Sequence, residues 1–331
     1  MEPPYRTGHA GGSARGNGRS PRPQRGEIAP VRDPPIEHHP PETEARARYA
    51  ARVRYAEHAP TASLREHVDC FWTILAEAGA PGYRVLPDGA VDLIFEPSSG
   101  VRVIGAMTRA LVTGATAGSL ELLGVRFRPG EAASFLCVSM RELRDAAAPL
   151  EDLWGAEARG LGGAMGDARG PGARIAVLER ALLARLAARP RGAPLDAGRD
   201  RVRTAVAAMA GPAPPRIDAL ASRLGVTERT LERAFDERVG LGPKSLSRVM
   251  RLQRLVASID DAGRSWSAAA VELGFADQPH LIRDVTELAG TSPTALLRER
   301  RAMSDSFNPG ELIGATVPPS PASGAIKERR R

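Results

Sequence analysis

The stretches IDALASRLGVTERTLERAF (residues 217–235) and SWSAAAVELGFADQPHLIRDV (residues 265–285) carry one pattern twice. In each, apolar residues have the spacing of a buried helix face, a glycine follows, and a second apolar pair lies four residues apart. The shared positions are Leu220, Ala221, Leu224, Gly225, Leu231 and Phe235 in the first copy, and Ala269, Ala270, Leu273, Gly274, Leu281 and Val285 in the second. Two short helices that pack closely across a tight turn need these residue types. Each copy therefore predicts a helix-turn-helix unit.

Polar residues mark where the second helix of each unit begins. Thr227 and Asp277 can each accept a hydrogen bond from a free backbone N–H of the first helical turn. The second turn is one residue longer, and Pro279 is tolerated because the start of a helix has a backbone donor to spare. A helix predicted from about Pro243 to Ile259 joins the copies and would span roughly 25 Å. That length suits two recognition helices about one DNA turn, roughly 34 Å, apart on one face of a duplex.

Candidate reading residues lie early in each second helix and point away from its apolar pair. They are Thr227, Glu228, Arg229, Glu232 and Arg233 in the first copy, and Gln278, His280 and Arg283 in the second. Arg suits guanine and Gln suits adenine, because each can form two hydrogen bonds to its base edge. We expect contacts with the DNA backbone from Arg248, Arg251 and Thr291.

These side chains also have structural alternatives. Arg229 with Glu232, and Arg233 with Glu237, have the spacing of salt bridges along a solvated helix. His280 can equally cap a helix or pack in the domain. The residue types alone do not decide between these roles.

Residues 217–300 resemble the DNA-binding domain of the AraC family of bacterial transcription regulators. Besides the leucines and glycines of the repeated pattern, Ala221 and Phe235, the matching residues are Ile217, Val226, Arg233, Gly240, Pro243, Arg251-Leu252, Ser265-Trp266, Phe275, DQPHL at 277–281, Arg283 and GTSP at 290–293. The resemblance implies a regulator with two helix-turn-helix units that bind DNA. The sequence departs from the family at Ala269, Val285 and Leu296-Leu297, where larger or aromatic residues are usual.

The region before this domain predicts strands followed by helices. Apolar segments separated by turn residues, such as YRVLPDGAVDLIFEP (83–97) and LELLGVRFRPG (120–130), predict short strands, and Leu64–Leu75 is expected to enter the same sheet. Helical periodicity follows at 131–145 and 173–189, whereas the glycines at 160–166 predict a flexible connection. LPDGAVDLIF, GVRFRPG and LEDLWG also resemble an uncharacterised domain found ahead of such motifs, which implies a sensor-like β-rich domain.

The length and charge of the chain limit how many domains and tails it can contain. With 331 residues and 42% hydrophobic composition, it fits about two domains plus tails. Of the net charge of +7, residues 1–56 carry +4 and residues 216–301 only +2. We predict a disordered basic leader at 1–56, a sensor and dimerisation domain at 57–195, the DNA-binding domain at 200–301 and a disordered tail at 302–331. The leader is either solvated or an arm that contacts DNA phosphates.

The predicted fold class is α+β and multidomain. A β-rich, barrel-like N-terminal domain with following helices precedes an all-α C-terminal domain of two helix-turn-helix units joined by a linker helix.

Catalytic and metal chemistry is not indicated. Two cysteines cannot build a disulfide framework, and with three histidines outside the leader no histidine metal site is expected. Cys70 and Cys137 are expected to pack in the core, and Asp88 belongs to a turn. Asp92 is either a polar group of a pocket or an outward strand residue. We expect no cofactor, no bound metal and no enzymatic activity.

These observations favour a sequence-specific DNA-binding transcription regulator, modulated by an effector of unknown identity in the N-terminal domain. The expected partners are double-stranded DNA, a small-molecule effector, a second copy of the chain and RNA polymerase. We expect no association with a membrane. The expected location is the cytoplasm, because the sequence has neither a membrane span nor a signal peptide. One alternative is a protein-interaction adaptor that keeps the helical domain as a scaffold without DNA binding. Another is a ligand-processing enzyme in the first domain.

Overall fold

The computed structural model describes residues 52–188, 198–211, 213–258 and 265–303. Most of the predicted leader, most of residues 192–198, where the composition predicts a linker, and nearly all of the predicted tail therefore lie outside the described residues. The described residues form one compact unit.

The first part of the unit is a sheet of short antiparallel strands, as predicted. The strands are β1 (Val53–His58), β2 (Val68–Ala76), β3 (Arg84–Val85), β4 (Val91–Glu96), β5 (Gly100–Ile104), β6 (Leu111–Val112), β7 (Leu120–Phe127) and β8 (Ala147–Pro149). Six of them form one sheet in the order β1-β2-β7-β4-β5-β8, and β3 pairs with β6. Among the described residues, β1 and β8 are the two edge strands of this sheet. Because β1 starts at Val53, the predicted leader boundary at residue 57 falls inside a strand.

Alternation along the strands gives the large sheet two different faces. One face carries Leu93, Val125 and Phe127 into the main core, which also contains helices from both halves of the unit. The other face carries a smaller apolar cluster around Cys70 and Trp72. Neighbouring strand residues point to opposite faces, so this pattern follows directly from the sequence. The buried position of Cys70 confirms its predicted packing.

The helices that follow the sheet differ in part from prediction. They are α1 (Ala133–Leu136), α2 (Glu151–Trp154), α3 (Ala156–Asp167) and α4 (Gly170–Ala188). The long helix predicted at 173–189 is confirmed by α4, with Leu178 and Leu182 buried. The helix predicted at 131–145 is wrong, because the chain makes only α1 and a short 3-10 turn at Met140–Leu143.

Two further corrections concern the same region. Cys137 adopts a left-handed conformation at the end of α1 and is exposed, so the prediction that it packs in the core is wrong. The glycines at 160–166 lie within α3 rather than in a flexible connection. Ala158, Leu161 and Met165 give α3 a buried stripe at helical spacing, and this packing outweighs the low helix propensity of glycine.

The rest of the unit is helical, as predicted. The helices are α5 (Arg199–Ala210), α6 (Ile217–Arg223), α7 (Glu228–Arg238), α8 (Pro243–Ala257), α9 (Trp266–Glu272), α10 (Gln278–Ala289) and α11 (Pro293–Met303). The linker helix predicted from Pro243 to Ile259 corresponds to α8, which ends at Ala257. The β-rich first part and helical second part confirm the predicted fold class.

The helical part packs directly against the sheet part. Arg238, at the end of α7, is buried and donates to the Gly130 carbonyl and to Ser134 Oγ. A second buried contact joins His67 Nδ1 to Glu131 Oε2 at 2.8 Å, and Arg199 at the start of α5 donates to the same carboxylate oxygen. Buried polar groups in such pairs have strict geometric requirements, so these contacts hold the two parts in one arrangement.

Candidate DNA interface

The first helix-turn-helix unit consists of α6 and α7. Leu220 and Ala221 on α6, and Leu231 and Phe235 on α7, are buried against each other, as the sequence pattern predicts. Gly225 takes φ of +66° in the turn. The N-cap hydrogen bond to α7, which Thr227 Oγ1 accepts from the backbone N–H of Thr230 at 3.2 Å, is also confirmed.

The second unit repeats this geometry in α9 and α10. Ala269, Ala270, Leu281 and Val285 are buried, and Gly274 takes φ of +78° in the turn. Asp277 Oδ1 accepts from the backbone N–H of His280 at 2.7 Å and so caps α10. Pro279 lies in the first turn of α10. The turn between α9 and α10 is one residue longer than that between α6 and α7, as predicted.

An acidic side chain on α10 connects the second unit to the linker helix α8. Asp284 is almost fully buried, and its two carboxylate oxygens accept from Arg248 Nε at 3.0 Å and from Arg251 Nη2 at 3.1 Å. His280 Nε2 lies 3.4 Å from the same carboxylate. Arg248 also donates to Glu287 Oε2 at 2.5 Å. This network fixes the orientation of α10 relative to α8.

Charge within this network shifts two pKa values. The hydrogen bond from Arg248 to Glu287 and the neighbouring charge of Asp284 raise the pKa of the Arg248 guanidinium. The same hydrogen bond lowers the pKa of Glu287. Both shifts favour the charged forms of Arg248 and Glu287.

The reading residues of the first unit are exposed. Thr227 caps α7, and Glu228, Arg229, Glu232 and Arg233 lie within the helix. All five are exposed, and the helical period places Arg229 and Arg233 opposite Leu231 and Phe235. Arg233 Nε is 3.9 Å from Glu237, and the Arg233 side chain remains 76% exposed. An exposed ion pair at this distance contributes little free energy, so Arg233 can change partner readily. The structural alternative for Arg229 does not occur, because no ion pair joins it to Glu232 among the described residues.

The reading residues of the second unit are less uniform. Arg283 is exposed, whereas Gln278 and His280 are partly buried. Gln278 Oε1 accepts from Ser267 Oγ at 2.8 Å. His280 Nδ1 accepts from the backbone N–H of Ala276, and its ring meets Phe275 edge-on. His280 therefore contributes to the packing of its own unit.

The three predicted backbone-contact residues have different surroundings. Arg248 and Arg251 are held by Asp284, and the Arg251 guanidinium also lies 5.1 Å from the centre of the Phe275 ring. Thr291 is partly buried just ahead of α11. A phosphate contact by either arginine would use the guanidinium donors that Asp284 leaves free.

Asp284 is a site residue that the repeated sequence pattern did not single out. Its signal is a carboxylate among Leu281, Val285 and Leu288 on the buried face of a strongly amphipathic helix. A charge at such a position requires a buried partner of opposite sign. The sequence does not say which of the many arginines supplies it.

The described residues offer neither a metal-binding cluster nor a membrane-spanning helix. They contain no group of three or more His, Cys, Asp or Glu side chains placed to hold a metal ion. None of their helices combines the length and apolar character needed to cross a membrane.

Comparisons with known proteins agree with this architecture. A family model described as a helix-turn-helix domain matches residues 220–299, and a domain of unknown function (DUF6597) matches residues 56–149. No curated protein matches the chain.

Solved structures of ToxT from Vibrio cholerae are also similar. One in a P21 crystal form has a TM-score of 0.33 and 10% identity over 75% of this chain and 97% of that chain. Another, bound to (E)-4-(8-methylnaphthalen-1-yl)but-3-enoic acid, has a TM-score of 0.35 and 8% identity over 75% of this chain and 98% of that chain. TM-scores this low carry no functional argument. The family match rests instead on residues 220–299, where both units and their linker helix lie. The chain therefore carries a helix-turn-helix domain at residues 220–299, within the stretch whose sequence resembles the AraC family.

Proposed function

We propose that the chain regulates transcription by sequence-specific binding of double-stranded DNA through α7 and α10. The observation that carries this proposal is the exposed polar face of α7, which is opposite the buried Leu231 and Phe235. A helix with this arrangement can enter the major groove without disturbing its own core. Arg229 and Arg233 are the proposed base-reading residues, with Thr227, Glu228 and Glu232 beside them.

In the second unit, Arg283 is the leading candidate for base or phosphate contact because it is exposed. Gln278 keeps its amide N–H donors available, since only its Oε1 is engaged, by Ser267. His280 supports the fold of the unit and reaches DNA only from its partly exposed edge. Arg248, Arg251 and Thr291 remain proposed contacts to the DNA backbone.

We further propose that the N-terminal part modulates DNA binding. Support comes from direct contacts between the two parts at the helices that carry the reading residues. Arg144, just after the 3-10 turn, donates to Asp236 on α7 at 2.6 Å and to the Gly240 carbonyl. Arg84 on β3 donates to the Ala289 carbonyl at the end of α10 at 2.7 Å, and to Glu299 on α11 at 2.9 Å. A ligand that changes these contacts would change how α7 and α10 are presented to DNA.

The test begins with selection of bound fragments from random DNA by the full chain. The selection reports both binding and the spacing of the half-sites. Affinity for the selected site is then measured by fluorescence anisotropy over a range of salt concentrations. Contact with several phosphates predicts a steep fall in affinity as salt rises.

Arg233→Ala tests the reading role directly. Loss of one paired contact to a base costs about 1–3 kcal/mol, roughly a 5- to 150-fold loss of affinity for the selected site. Arg159→Ala is the matched control, because Arg159 is also exposed and weakly paired, with Glu151 at 3.7 Å, but lies in α3. The control is expected to leave affinity unchanged.

The adaptor alternative predicts a different outcome. The modest charge of residues 216–301, +2 from 14 basic and 12 acidic residues, favours it. An adaptor would select no sequence, show no steep salt dependence and respond equally to both substitutions. Such a result would refute DNA reading by α7. A homodimer, contact with RNA polymerase and a cytoplasmic location remain predictions.

A further inference from the structure

A cavity of about 170 Å³ lies between the sheet and the helices of the DNA-binding part. Leu86 and Phe127 line it from the sheet side, and Val206 on α5 and Met250 and Val256 on α8 line it from the helical side. Most of this wall is apolar. A cavity of comparable size, about 150 Å³, is known to admit a benzene ring.

Most charged groups around this cavity are already paired. Arg126 Nε is 3.3 Å from Asp88 and 3.6 Å from Asp92, and Arg128 Nη1 is 3.3 Å from Asp69. The two guanidiniums face three carboxylates. Neither of these arginines is therefore left without a negative partner.

Arg254 on α8 differs from these groups. It lines the cavity, and its Nη2 donates to the backbone carbonyls of Met209 and Gly211. Among the residues that the structure describes, no carboxylate pairs with its guanidinium. Burial and the nearby charge of Arg251 lower its pKa, as expected for a cation that lacks an anion.

The helix that carries Arg254 also sets the geometry of DNA binding. The linker helix α8 joins the two helix-turn-helix units, and Asp284 connects it to α10. On its other side, Gln253 Nε2 donates to the Pro87 carbonyl at 2.6 Å, in the turn before β4. A ligand in the cavity would therefore touch both the sheet part and the helix that spaces the reading helices.

We propose that this cavity binds a small aromatic monocarboxylate, with the ring among the apolar residues and the carboxylate on Arg254. The planar guanidinium suits a carboxylate because two parallel hydrogen bonds can form. One unpaired cation calls for one negative charge, and the volume limits the ligand to about ten non-hydrogen atoms. This inference rests on the proposed function, for which it supplies the effector class and the site.

The experiment titrates the full chain with benzoate and 3-phenylpropanoate by isothermal titration calorimetry. Benzyl alcohol serves as the uncharged analogue. Arg254→Met removes the charge and keeps a long side chain. Ala210→Phe fills the cavity from α5, so the test does not depend on one variant folding well. Arg203→Met is the control, because Arg203 lies on α5 outside the cavity lining and pairs with Glu66 and Asp200.

We expect a carboxylate to bind the unmodified chain at least tenfold more tightly than benzyl alcohol. Arg254→Met and Ala210→Phe should each weaken that binding by tenfold or more, because a charged hydrogen-bonded pair or the cavity itself is lost. Arg203→Met should stay within twofold. The bound carboxylate should also change affinity for the selected DNA site severalfold.

Other outcomes would overturn the inference. No carboxylate binding at millimolar concentration, or equal binding of benzyl alcohol, would remove the site or its anion preference. Carboxylate binding without any effect on DNA affinity would remove the effector role. Because DNA affinity is measured on the same preparations without ligand, each of these failures is distinct from a failure of the proposed function.

Discussion

Replacement of Asp284 by Asn tests whether a buried carboxylate holds the second helix-turn-helix unit against the linker helix. Asp284 accepts from Arg248 at 3.0 Å and from Arg251 at 3.1 Å, and its side chain is only 8% exposed. Asn removes the negative charge and presents an N–H donor where an acceptor is needed. At least one of the two arginines then loses its partner.

The expected cost follows from burial. Breaking a buried ion pair costs about 3–5 kcal/mol of unfolding free energy. Arg248 and Arg251 are 29% and 17% exposed, so water offsets part of this, and Arg248 keeps Glu287. We therefore expect Asp284→Asn to lower the unfolding free energy by about 2–3 kcal/mol.

Glu287→Gln is the matched control. It removes a carboxylate from the same Arg248 guanidinium, but the Glu287 side chain is 53% exposed. An exposed pair contributes about 0–1 kcal/mol, so the cost should be below about 1 kcal/mol. Urea denaturation of both variants and the unmodified chain, followed by circular dichroism, measures the difference. Equal costs for the two substitutions would refute the argument that burial sets the strength of this network.

Two further predictions concern the contact between the sheet part and the helical part. Burial raises the pKa of Glu131. The hydrogen bond from His67 and the charge of Arg199 lower it by more, so the pKa lies below its ordinary value of 4.5. The stability that the ionised carboxylate contributes is present above pH 4.5 and is lost as pH falls through the lowered pKa. Glu131→Gln should therefore destabilise the chain at pH 7 and progressively less in acid. Denaturation measured from pH 3 to 7 checks this. Gly240 has φ of +84°, and an added Cβ would lie 2.7 Å from a backbone oxygen, so Gly240→Ala should cost about 2–4 kcal/mol in urea. Gly172→Ala, in α4 with open space around the glycine, should be neutral or stabilising, and a similar loss in both variants would contradict this explanation.

The double helix-turn-helix was predictable because its determinants are local. The spacing of Leu231 and Phe235, the caps at Thr227 and Asp277 and the turn glycines all act within one or two helical turns. The exposed positions of Arg229 and Arg233 follow from the same helical period. Short strands between turn residues were predictable for the same reason.

Other features depended on neighbours that are remote in sequence. Cys137 lies in an apolar stretch, yet the chain turns sharply there and leaves it exposed. The glycine-rich segment at 160–166 becomes helical because Leu161 and Met165 pack against the core. Differences in helix propensity contribute less free energy per residue than the burial of a large apolar side chain.

By itself, the sequence determined the two repeated helical units, their caps and the polar face of α7, because residues three or four apart on a helix share a side whatever surrounds it. The tertiary structure decided that Asp284 meets Arg248 and Arg251, that Arg254 has no carboxylate partner among the described residues, and that the sheet and the linker helix enclose a cavity between them. These depend on residues brought together from distant positions in the chain. A repeating pattern contains no information on such distances, because only packing sets them.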